Sequence, residues 1–160
     1  RFSEAEMAKI TAPGTTAAIR KAFDAWSGGW KITNCGPDME PGLLKEWGGK
    51  KDVFRTHPLS REVGCSLTRK VEIPAGKKTL LRLVVGHHPE GDWDLIVRVN
   101  GKEILRKAVG KESCSEGWME VAVDLSDRSG KPVDLELVNQ PSDWSWEGAY
   151  WASIRVETAP

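Results

Sequence analysis

The sequence predicts an all-β chain folded as an antiparallel β-sandwich or jelly roll, preceded by a short helix and a loop-rich segment. Three observations carry this expectation. Apolar residues alternate in one segment after another beyond residue 66, the period of half-buried strands. The connections between those segments are short and rich in Gly, Pro, Asn and Lys. One of them is Asn100-Gly101, the strongest short hairpin signal a sequence offers.

Taken in order, residues 15–26 place Ala17, Ala18, Ile19, Ala22, Phe23 and Trp26 at helical spacing, and Gly28-Gly29 ends the pattern. Residues 30–33 read as a short strand. Residues 34–58 read as a long loop, full of turn formers such as CGPDMEPG and WGGK. Seven regular strands follow, over 67–73, 79–85, 93–99, 102–109, 118–125, 133–139 and 149–157. Trp93 shares the phase of Leu95, Val97 and Val99 and is expected in the core. Trp118 and Trp151 fall out of phase with their apolar neighbours, so both are expected outward, under the N-terminal segment. Tyr150 is expected in phase with Ile154 and Val156.

At 160 residues the chain fits one domain, a helix-and-cap region over 1–65 and the regular sandwich over 66–157. Lys+Arg and Asp+Glu are each 23, so the net charge is zero, and the basic residues form no stripe. That excludes an electrostatic nucleic-acid binder and a polybasic membrane-surface domain. No apolar run is long enough to insert in a membrane. The chain opens at Arg1 without an initiator Met or a signal segment, and reads as a mature or excised piece of an extracytoplasmic protein.

Strand reversal gives the sequence its functional content. Successive antiparallel strands send successive connections to alternate ends of the stack. One end receives PAGKK, NGK and SDRSGKP, which carry no reactive chemistry. The other receives residues 87–92 (HHPEGD), 110–117 (GKESCSEG) and 140–148 (QPSDWSWEG), together with the approach 56–65 to the first regular strand. All three histidines, Cys65, Cys114, Trp144 and Trp146 therefore gather at one pole. Loops on a rigid scaffold are where binding residues concentrate.

Among these, Trp144 and Trp146 are the candidate stacking platforms. Their i,i+2 spacing puts both on one side if the segment is extended. An exposed indole offers a flat apolar face to sugar C–H groups, while carboxylates and amides bind hydroxyls. His87, His88, Asp92, Asn139, Asp143 and Glu147 are placed to supply those polar contacts. Adjacent His87 and His88 point opposite ways in a strand-like segment, so they do not share an ion, and no transition-metal site is expected. Cys65 and Cys114 are candidates for a disulfide, with Cys35 as the competing partner. The chain carries no nucleophile elbow, zincin helix or phosphate loop, and no catalytic residue is expected.

Residues 66–157 resemble the galactose-binding-domain-like jelly rolls, a group that includes many bacterial carbohydrate-binding modules. The likeness rests on GDWDLIVRVNGKEI (91–104), GWMEVAVDLSDRSGKPVDLELVN (117–139) and AYWASIRV (149–156). The resemblance implies an eight-stranded type of sandwich, glycan binding by end loops, attachment to neighbouring domains of a secreted parent protein, and in some members a structural calcium. The expected function is thus a non-catalytic carbohydrate-binding module. The rival expectation is an interaction domain docking onto its parent enzyme or haem protein.

Overall fold

The computed structural model describes residues 15–159. Helix α1 (Ala17–Ser27) starts where Thr16 Oγ1 accepts the Ile19 N–H at 3.2 Å and stops at Gly28, which adopts the left-handed conformation. Its Phe23 is fully buried, edge-on to Phe54 with ring centroids 5.1 Å apart. Trp26 Nε1 donates to Asp52 O at 2.8 Å. Among the described residues no helix is long and apolar enough to cross a membrane.

Ten strands follow: β1 (Lys31–Thr33), β2 (Gly42–Trp47), β3 (Lys50–Thr56), β4 (Cys65–Glu72), β5 (Lys78–His87), β6 (Trp93–Val99), β7 (Lys102–Val109), β8 (Trp118–Asp124), β9 (Pro132–Gln140) and β10 (Ala149–Ala159). They form two five-stranded sheets, ordered β1-β4-β9-β6-β7 and β2-β3-β10-β5-β8. Every pairing between these strands is antiparallel. The inward faces meet in one apolar core that includes Leu67, Leu81, Leu83, Leu95, Val97, Leu135 and Leu137. The all-β sandwich is therefore the observed fold, and the seven expected regular strands are all present.

Two expectations about the strands need correction. Residues 34–58 are not one long loop, because β2 and β3 form a hairpin there. Its turn is Gly48-Gly49, with φ of 56° and 80°, both in the left-handed region that suits a two-residue hairpin. The phase of the last strand is also corrected. A register shift between Trp151 and Ser153 inserts one extra residue, so Trp151, opposite Val85, joins Ile154, opposite Leu83, on the inward face. Tyr150 consequently faces outward, although neighbouring side chains bury it completely.

Trp93 is fully buried as expected, 5.3 Å from Trp151, and its Nε1 donates to Gly86 O at 2.9 Å. Trp151 Nε1 donates to Thr56 Oγ1 at 2.9 Å. Trp118 faces outward and lies under the β2–β3 turn, its Nε1 2.9 Å from Gly48 O, so the N-terminal segment covers it as expected.

The Cys65–Cys114 bridge is not the arrangement found. All three cysteines are free thiols. Cys65, wholly buried at the start of β4, has the Cys35 thiol as its neighbour, whereas Cys114 lies half-buried beside Ser113. Cys35 is drawn there because its N–H is held by Thr15 Oγ1 at 2.9 Å and Gly36 N–H by His57 O at 2.9 Å.

Trp151 ties both sheets together through packing and through Thr56. Trp151→Ala is expected to cost about 3–5 kcal/mol, read as a lower denaturant midpoint with an unchanged slope. A loss under about 1 kcal/mol would contradict the assigned inward phase of this residue.

Candidate ligand-binding site

The connections do separate by pole. At the bland end, Ser129 Oγ donates to Pro74 O and Gly130 N–H donates to Ile73 O, joining the β4–β5 and β8–β9 turns. At the other end the loops 88–92, 110–117 and 141–148 meet around an open cleft of about 670 Å³. Its lining includes Glu90, Asp92, Glu112 and Asp143, with Lys111 as the one cation, plus the hydroxyls of Ser113 and Ser145. A chain of zero net charge thus concentrates negative charge here.

The loop 141–148 is held from within. The Glu147 side chain turns inward and is completely buried. Its Oε1 accepts the Ser142 N–H at 2.6 Å, the Asp143 N–H at 3.3 Å and the Ser142 hydroxyl at 3.1 Å. Ser142 Oγ also donates to Asp92 Oδ1, which ties this loop to the one before β6. Burial raises the Glu147 carboxyl to a pKa of about 7 against these hydrogen bonds, which favour the charged form. Glu147 Oε2 is buried without a hydrogen-bond partner among the described residues. One carboxylate oxygen each from Asp92, Asp143 and Glu147 lie within 4.8 Å of one another.

The donor set matches the calcium that the resemblance implies. It is made only of carboxylate oxygens, the ligands a hard divalent cation prefers, and one of those oxygens is desolvated and unpaired. Asp92, Asp143 and Glu147 are the residues that would hold such an ion.

The aromatic residues take separate places. Trp146 has φ of 56°, a left-handed conformation that breaks the extended parity expected for i,i+2 residues. Trp144 therefore packs edge-on against His57 with centroids 5.1 Å apart, while Trp146 stacks flat on His88 at 4.3 Å. Trp146 remains 48 % exposed, one of three large apolar side chains so exposed among the described residues. Gly91 joins this platform to the cleft. It lines the cleft, and a Cβ there would sit 2.1 Å from Trp146 O. Behind Trp146 the stack continues through His88 to Trp47, at 6.4 Å, and on to Tyr150, 4.3 Å from Trp47.

The histidines at this pole hold its loops through hydrogen bonds. His87 Nδ1 donates to His88 O at 2.7 Å and Gly91 O at 2.9 Å, pinning the turn before β6. His88 Nδ1 accepts the Glu90 N–H at 3.1 Å, so the neutral ring carries its proton on Nε2. Burial lowers the His88 pKa, which keeps the stacked ring neutral. Asn139 is a correction: it lies in β9, fully buried, and its Nδ2 donates to Thr56 Oγ1 at 3.0 Å, so it does not reach ligand. Glu147 likewise reaches no exposed ligand hydroxyl and acts by holding its loop. Sequence reasoning missed Glu90, Lys111 and Glu112, whose charge-rich turns were legible as HHPEGD and GKESCSEG. It also missed Trp47, which the WGGK hairpin signal could have placed.

No family model and no curated protein matches the sequence. Solved structures do match the fold. A family 35 carbohydrate-binding module from Clostridium thermocellum superposes with a TM-score of 0.54 at 14 % identity, over 81 % of this chain and 92 % of that one. A family 22 xylan-binding domain from Paenibacillus barcinonensis gives 0.54 at 12 % identity, over 81 % and 85 %. A cyclase from Fischerella sp. TAU gives 0.50 at 11 % identity, over 82 % and 74 %. The chain thus has the jelly-roll fold of these modules, a fold that also serves a cyclase.

Glu147 provides a pH test. Its folded pKa lies above its ordinary value of 4.5, so between 4.5 and about 7 the folded state binds more protons than the unfolded one. Stability in chelator is then expected to fall as pH rises through that window. Glu147→Gln should flatten the slope in Tm measured from pH 4.5 to 7.5. A wild-type slope of the opposite sign, or a slope unaltered by the substitution, would contradict the assignment.

Proposed function

We propose that this chain is a non-catalytic glycan-binding module of an extracytoplasmic protein, and that it binds its ligand in the acidic cleft at the loop-bearing pole. The observation that carries this reading is an exposed, pre-stacked indole set at the rim of a polar cleft. Trp146 offers one face outward while His88 supports the other. An aromatic ring so fixed gives a flat apolar surface for a sugar ring at little entropic cost. Asp92, Asp143, Glu90 and Glu112 accept hydrogen bonds from hydroxyls, and Lys111 and the serines donate. The jelly-roll neighbours named as carbohydrate-binding modules support the same class of ligand.

The roles divide accordingly. Trp146, Asp92 and Asp143 touch the glycan or a cation beside it. His88, His87 and Glu147 position those groups. Asp92, Asp143 and Glu147 would hold a calcium ion, whose charge would offset the three converging carboxylates. Trp144, half-buried against His57, supports the loop from behind. Neighbouring domains of a longer parent protein would present the module to its polysaccharide.

Isothermal titration against soluble xylan, mannan, β-glucan and N-acetylglucosamine oligomers tests the reading. At least one is expected to bind, and Trp146→Ala is expected to weaken it by about tenfold, the scale of one aromatic contact. Failure of all to bind, or binding indifferent to both Trp146→Ala and Asp143→Asn, would contradict the glycan reading and favour a docking domain. For the ion, millimolar calcium chloride added to chelator-treated protein is expected to raise Tm by several degrees. That rise should vanish in the Asp92→Asn/Asp143→Asn double variant. No rise in the wild type would exclude calcium at this place.

A further inference from the structure

The pole cleft is not closed on the side of the sandwich. A second open depression of about 820 Å³ lies on the flank where β7 and β8, the outermost strands of the two sheets, run past each other. Both depressions are lined by Ala108 and Ser113, so the second begins where the first ends. The loop 110–117, which joins β7 to β8, forms the bend between them.

The chemistry of the flank differs from that of the pole. Lys50 and Lys107 face Glu116 and Glu120, a balanced set of donors and acceptors, in place of the pole's acidic excess. Trp118 lies among them. Its ring is held by the hydrogen bond to Gly48 O and by contact with Gly86, where a Cβ would come within 2.9 Å of the indole. The Lys50 ammonium sits 5.5 Å from the ring centroid. A half-buried indole locked in this way, with charged residues lining the same depression, has the composition of a second sugar subsite. Its volume and that of the pole cleft each lie within the range of roughly 300–1,000 Å³ that small-ligand pockets occupy.

We infer that the flank trough extends the pole cleft into one bent groove, and that the ligand is a linear oligosaccharide segment several sugars long rather than a single terminal sugar. The inference rests on the glycan reading and specifies its ligand: Trp118, Lys107 and Lys50 would contact the sugars beyond those held at the pole. Edge strands β7 and β8 leave the flank open along its length, which suits a polymer passing through more than a chain end buried in a pocket.

The test is a titration series of β-1,4-linked xylo- and gluco-oligosaccharides from disaccharide to hexasaccharide, with wild type, Trp118→Ala and Lys107→Ala. The extended groove predicts affinity rising about tenfold or more with length. Both variants should lose that gain while keeping wild-type affinity for the disaccharide. Lys107 lies on an exposed edge strand, so its variant reads out binding even if Trp118→Ala is destabilised. Affinity independent of length, or a gain that survives Lys107→Ala, overturns the groove while leaving a pole-only glycan site intact. No binding at any length overturns the groove, and if mannan and N-acetylglucosamine oligomers fail as well the glycan reading falls with it.

Discussion

The pole depends on one buried carboxylate. Glu147 turns into the protein and gathers the Ser142 and Asp143 N–H groups on a single oxygen, closing the loop that connects β9 to β10. A carboxylate in that position costs desolvation, and that burial is what raises its pKa. Return comes from what the closure places. It sets Asp143 beside Asp92, links Ser142 to the adjoining loop, and turns Trp146 into the left-handed conformation that lays its ring on His88.

A sandwich gives such a loop its foundation. The long β10 strand pairs with both β3 and β5, and the end that leaves the loop carries Ala149 opposite Thr56 and His87. Thr56 accepts hydrogen bonds from Trp151 and Asn139, so the polar groups nearest the pole are spent on fixing the core rather than on ligand. His87 does the same for the neighbouring turn. The groups that line the cleft are short acids, a lysine and serines, with one exposed indole at the rim. Acidic pole and balanced flank then become two chemically distinct limbs of one surface, separated by the loop that carries Cys114.

Much of the fold was legible because strand periodicity and turn chemistry are local. The segments 93–99 and 102–109 coincide with β6 and β7, and Asn100-Gly101 forms the left-handed turn it announces, with φ of 52° and 80°. The gathering of loops at one pole followed from strand reversal alone. What failed was not local. The β10 bulge inverts the parity of Tyr150 and Trp151, and no alternation count registers one inserted residue. The inward turn of Glu147 depends on two backbone N–H groups that only the closed loop brings together. Asn139 was rightly placed at the end of a strand, but that its amide is spent on buried Thr56 rather than on ligand is a tertiary fact. The Cys35–Cys65 neighbourhood joins two segments 30 residues apart in sequence, brought together through the backbone contacts of Cys35 with Thr15 and of Gly36 with His57.

Backbone amide mapping of the binding surface by heteronuclear NMR tests the central claim most directly. On titration with a bound oligosaccharide, the account predicts shifts concentrated in residues 88–92, 110–117 and 141–148, with the turns at 74–77 and 100–101 unmoved. Shifts centred on those opposite turns, or spread over a sheet face with the 141–148 loop unaffected, would contradict the assignment of recognition to this pole.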